Sequence, residues 1–194
     1  MQTYPNTPVD NPQSKTEILT ELNKAFDTLA RTAGTIDSTA FAQPPHPEKW
    51  SASGHFEHIV LANAASATAL KQPPAFFAAF GGSLERPPLN YQQLRMAYQE
   101  RSKQTVLRPS PKYAPKPGIS LPLDELLDNW RTVQEKLNTR LKNWDQNSLE
   151  SAILPHPAVG LMSMKELLLF TIYHTWHHLD GMEKAARGEY FIPE

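Results

Sequence analysis

The chain contains no cysteine. That excludes disulfide frameworks, thiolate metal sites and a cysteine nucleophile, and leaves histidine and carboxylate as the available ligand chemistry. It also lacks an excess of either charge: Lys+Arg 19 against Asp+Glu 20 gives a net charge of −1. No long-range positive field exists to gather nucleic acid or an anionic membrane surface, so neither is expected as a partner. Long hydrophobic runs are missing too. The longest, from Glu166 to Tyr173 with its polar ends included, is far short of the roughly 20 residues that span a bilayer. The start, Met1-Gln2-Thr3-Tyr4-Pro5, has no basic or apolar leader segment, so a soluble, cytoplasmic protein is expected.

What is abundant is proline, at 18 of 194 residues. Because proline lacks an N–H and clashes with the preceding turn, long helices must lie between the proline clusters. Four clear windows exceed 20 residues, and each carries a helical period. In the first, Ser14 and Glu17 make a capping box before Ile18, Leu19, Leu22, Ala25, Phe26, Leu29 and Ala33. Ser51 can cap a second helix running to about Lys71, with His55, His58, Leu61, Ala62, Ala65 and Ala69 on one side. The third presents Leu123, Leu126, Leu127, Trp130, Val133, Leu137, Leu141 and Trp144, with acidic residues at its start. The fourth opens on a second capping box, Ser163 with Glu166, and ends near Gly188 as a C-cap.

Four long amphipathic helices bury their stripes most simply as an all-α four-helix bundle. Residues 1–13 are expected to form an N-terminal tail and 14–194 a single domain. No strand-period segment competes. The Pro-rich connection from Gln72 to Pro122 is long enough to cross the bundle, which lets helices two and three run parallel, and it is predicted to contain a short extra helix around Tyr91 to Thr105.

Five of the seven histidines fall in two of these helices. Residues four apart share a helix face, so His174 and His178 can chelate one ion, and His58 lies on the inward stripe of its own helix. An imidazole in an apolar interior is costly unless its nitrogens find partners. A shared divalent ion would supply them, and Ala62, Ala65 and Gly181 would leave it room. Spacing alone leaves another reading open, in which backbone carbonyls or water satisfy core histidines. His55, one turn before His58, is either a fourth ligand or, preferably, a partner to a ligand. His177 is expected to border the pocket or reach solvent. His46 and His156 precede prolines and read as turn residues, with the mouth of a pocket left open as a further place for them, and Glu57, Asp180 and Glu183 read as solvated helix residues. Tyr91, Tyr98, Tyr173 and Trp176 are assigned to core or pocket wall without a catalytic role, and no general base is legible.

Three segments resemble the DinB-like superfamily of metalloenzymes. Lys49-Trp50-Ser51 with His58 eight residues after the tryptophan is similar to that family's tryptophan-serine helix start and first metal histidine. His156-Pro157-Ala158-Val159-Gly160-Leu161-Met162-Ser163 resembles the segment leading into its last helix. His174-Thr175-Trp176-His177-His178 matches its paired histidines. The resemblance implies an up-down-down-up bundle, a divalent ion held by His58, His174 and His178, and homodimers formed through helix faces. Three neutral imidazoles suit zinc, nickel, iron or copper, with zinc and nickel the leading candidates. Some relatives transfer or isomerise small molecules with a low-molecular-weight thiol, so a thiol-dependent S-transferase or a hydrolase of small substrates is expected. A non-catalytic metal- or ligand-binding bundle is the alternative, and a purely structural one a third. The chain departs from the pattern in having Gly181 where relatives often carry glutamine.

Overall fold

The computed structural model describes residues 11–78, 84–105, 107–116 and 118–189. Most of the expected tail and the final residues, 190–194, lie outside them. The four windows become the four long helices: α1 (Lys15–Ala33), α3 (Ala52–Lys71), α6 (Leu123–Leu141) and α8 (Met164–Ala186). Both capping boxes form reciprocally, Ser14 with Glu17 and Ser163 with Glu166. Ser51 caps α3 by accepting from the Gly54 N–H. Gly188 follows the end of α8 at φ 73°, a left-handed conformation that favours glycine, and its N–H closes on the Ala185 carbonyl.

Side-chain pairs fix the helix directions. Phe26 lies opposite Trp130 and Asn23 opposite Asn138, so α1 and α6 are antiparallel. Arg140 reaches the Ala67 carbonyl and Trp144 that of Leu70, while Ser53 bonds the Leu121 carbonyl, so α6 runs alongside α3 in the same direction. His58 meets His174 and Ser66 meets Thr171, which makes α3 and α8 antiparallel. The order is up-down-down-up, as expected.

The core sits between the four long helices around Phe26 and Trp130, whose rings stack at 3.9 Å while the indole N–H donates to the Phe26 carbonyl at 3.0 Å. The predicted extra helix is α5 (Tyr91–Gln104), packed on α8. Three short helices were not anticipated: α2 (Ser38–Ala42), α4 (Pro74–Ala78) and α7 (Gln146–Ser151). α6 ends at Leu141, so Trp144, the last residue of the third stripe, packs from the following turn.

The expectation of no strands needs correction. β1 (Ile153–His156) and β2 (Gly160–Ser163) pair antiparallel, with Ile153 opposite Ser163 and His156 opposite Gly160. Four-residue strands, one of them holding a proline, carry too little alternation to register in sequence, and a two-stranded ribbon tolerates Pro155 because it has open edges.

Candidate metal centre

Helices α3 and α8 are held at close, constant register by two buried polar pairs. Asn63 Nδ2 donates to Thr175 Oγ1, and the Ser66 and Thr171 hydroxyls meet, both at 3.0 Å. Thr171 spends its own proton on the Leu167 carbonyl, so Ser66 is the donor. One and two turns further along, the same interface carries the histidines.

His58, His174 and His178 come together as expected. All three are buried, and one ligand atom from each lies within 4.8 Å of the others. The His174 and His178 Nε2 atoms are 3.0 Å apart, and His58 Nε2 is 3.5 Å from His174 Nε2. Two imidazole nitrogens each about 2.0–2.1 Å from a tetrahedral ion stand about 3.3 Å apart, so the cluster has the right scale.

The outer nitrogens orient the rings. His58 Nδ1 lies 2.7 Å from the Tyr113 carbonyl, which can only accept, so the proton sits on Nδ1 and the Nε2 lone pair points inward. His178 Nδ1 is 3.1 Å from His55 Nδ1. A proton donated from His178 to His55 leaves the His178 Nε2 lone pair facing inward too. His174 Nε2 has one proton at most and cannot serve both bare nitrogens well, whereas a cation serves all three. These residues could therefore hold a metal ion.

Burial keeps the cluster neutral. Desolvation, reinforced by neighbouring imidazoles, holds His174 and His178 well below the ordinary histidine range. Desolvation also lowers His58, against an opposing hydrogen bond to the Tyr113 carbonyl. It takes His55 down to about 3 and both His156 and His177 to about 4. Neutral imidazole is the form that binds metal.

The cluster opens into a cavity of about 480 Å³. Ala62, Ala65 and Ala69 of α3 form a small-residue floor, Phe170 and Tyr98 pack against each other in the lining, and Trp50 packs 5.0 Å from His58 and 6.0 Å from His178. His177 lines the cavity, as expected. His55 stands outside the group of three and meets it through the contact of its Nδ1 with His178 Nδ1.

Two readings of individual residues are corrected. His156 is the last residue of β1 rather than a turn residue; its ring packs 4.6 Å from Phe170 and lines the cavity. Glu57 is buried, 7 % exposed, with Oε2 lacking a hydrogen-bond partner, and desolvation raises its pKa. Its side of α3, about 100° from His58, faces α6 rather than solvent. Asp180 does pair with Lys184, at 2.7 Å, and His46 does sit in a turn, accepting the Glu48 N–H.

The crossover contributes more than its composition announces. The stretch from Leu107 to Tyr113 forms one wall, bringing in Arg108, Ser110 and the Tyr113 carbonyl. A backbone carbonyl has no residue-type signature, so that partner of His58 was not legible.

The fold and site together define a four-helix-bundle protein with convergent histidines at the interface of two antiparallel helices. The family model of the DinB superfamily matches residues 21–181. The chain belongs to that superfamily. A solved structure described as TT2238, a four-helix bundle protein, is similar in fold, with a TM-score of 0.57 and 17 % identity over 88 % of this chain and 98 % of that one. A search of curated proteins returns no significant match.

Proposed function

We propose that the chain is a divalent-metal-dependent enzyme that transfers a low-molecular-weight thiol to a small electrophile, with His58, His174 and His178 holding the ion. The observation that carries this reading is the convergence of three buried Nε2 atoms on the wall of a cavity large enough for a small molecule. Three neutral ligands leave an ion its full charge and an open position, the pattern of catalytic rather than closed structural sites. When bound, the ion supplies Lewis acidity, which deprotonates a coordinated thiol and draws the pKa of coordinated water down to about 7.

The chain's own residues hold and shield that chemistry. Tyr113 and His55 fix the outer nitrogens of His58 and His178, as second partners of ligand histidines do. Trp50, Phe170 and the alanines of α3 give the cavity an apolar lining. No carboxylate lines the cavity among the described residues. A thiol, with a pKa of about 8.5, needs less help from a base than water does, which favours thiol transfer over hydrolysis.

The missing carboxylate base also favours a second reading, a bundle that binds metal and a small ligand without turning it over. A screen of thiols and electrophiles with metal-loaded protein, run with and without chelator, separates the two. Chelator-sensitive thiol transfer supports the enzyme. Ligand-dependent thermal stabilisation with no turnover supports the binding protein.

A further inference from the structure

The charge on the cavity wall is one-sided. Among the described residues that line it there is no Asp or Glu and no Lys, and the one permanently charged side chain is Arg108. Arg108 is exposed on the crossover and is followed by Pro109 and Pro111, whose fixed φ angles restrict how far the segment can rearrange. No ion pair to a carboxylate is found for it among the described residues. Of the other arginines in the crossover, Arg86 pairs with Glu166, while Arg95 and Arg101 also have no ion pair to a carboxylate among the described residues but do not line the cavity.

A guanidinium beside an apolar cavity, with no anion of its own chain, has a planar fork of donors suited to a carboxylate. The rest of the wall suits the body of an organic acid. Tyr98 and Phe170 add aromatic surface to a lining that also holds Ala62, Ala65 and Ala69. The polar pairs Asn63–Thr175 and Ser66–Thr171 already satisfy one another.

We infer that the small molecule taken into this cavity is a carboxylate-bearing organic acid, its anionic group held by Arg108 and its apolar body lying over the alanine floor. The inference deepens the proposed function by naming a substrate class and rests on that reading for the reaction. The anion contact itself needs only this chain.

The test compares benzoate with its uncharged isostere benzamide by calorimetric titration into the full chain, both metal-free and metal-loaded. Wild type, Arg108→Gln and Arg108→Lys are measured. Because Arg108 is exposed, both variants should keep the wild-type melting temperature. In metal-free wild type, benzoate should bind about 10-fold more tightly than benzamide, the scale of one charge-assisted contact. Arg108→Gln should erase that preference and Arg108→Lys retain part of it. Undetectable benzoate binding to metal-free wild type overturns the inference. So does equal binding of the two probes, or a preference that survives Arg108→Gln. The metal-free arm makes this outcome independent of metal binding, so a chain that failed to retain metal would overturn the proposed function and leave the carboxylate preference measurable.

Discussion

Gly181 lies directly against His55: a Cβ built on Gly181 would stand 2.5 Å from His55 Cε1 and 2.7 Å from its Nδ1. The absence of a side chain at that point of α8 is what lets the His55 ring reach His178 Nδ1. Gly181 and His55 are thus one feature, a glycine that makes room for an imidazole.

Gly181→Ala should therefore displace His55 and release His178, weakening metal binding by about 10- to 100-fold, the usual effect of losing a ligand's outer partner. Alanine is the better helix former by roughly 0.5–1 kcal/mol, so a fall in affinity would not reflect loss of α8. His55→Ala should cost a similar amount, and the double variant little more than either single one. Competition with a chromophoric chelator measures all three.

The start of α8 depends on a buried carboxylate. Glu166, 1 % exposed, accepts from Arg86 Nη1 at 2.6 Å and the Leu89 N–H at 2.7 Å through Oε1, and from the Ser163 N–H at 2.6 Å through Oε2. Glu166→Gln turns an NH₂ donor toward donors. It should destabilise the fold by about 2–4 kcal/mol, read as a lower urea midpoint with an unchanged slope.

His156 should make stability depend on pH. Its pKa is depressed from 6.5 to about 4 in the fold by burial, so between those values the unfolded chain takes up a proton that the folded chain refuses. Its contribution is fully present above pH 6.5 and is lost as pH falls towards 4. Over that window His156→Gln should flatten the dependence of unfolding free energy on pH by up to about 1.4 kcal/mol per pH unit. Urea denaturation of metal-free protein at a series of pH values checks this, and an unchanged slope contradicts it.

The four long helices were legible because proline marked their limits and serine with glutamate marked two of their starts. Reading one inward stripe per helix worked for α1 and α6, each with a polar outer face. It failed for α3, which packs against both α8 and α6, and so buries Glu57 on one side while presenting His58 on the other. The histidine cluster was legible through the 174/178 spacing and the family resemblance. Its surroundings were not, because the Tyr113 carbonyl, Arg108 and the strand position of His156 depend on where a Pro-rich crossover and a four-residue hairpin come to rest, and neither has a period to read.

The most direct test of the central claim is metal content. After reconstitution with zinc or nickel and removal of free ion, elemental analysis should find close to one ion per wild-type chain and almost none in His58→Ala, His174→Ala or His178→Ala, with each variant's helical circular dichroism retained. A wild-type chain that keeps no metal, or a His58→Ala chain that keeps as much as wild type, would contradict the account.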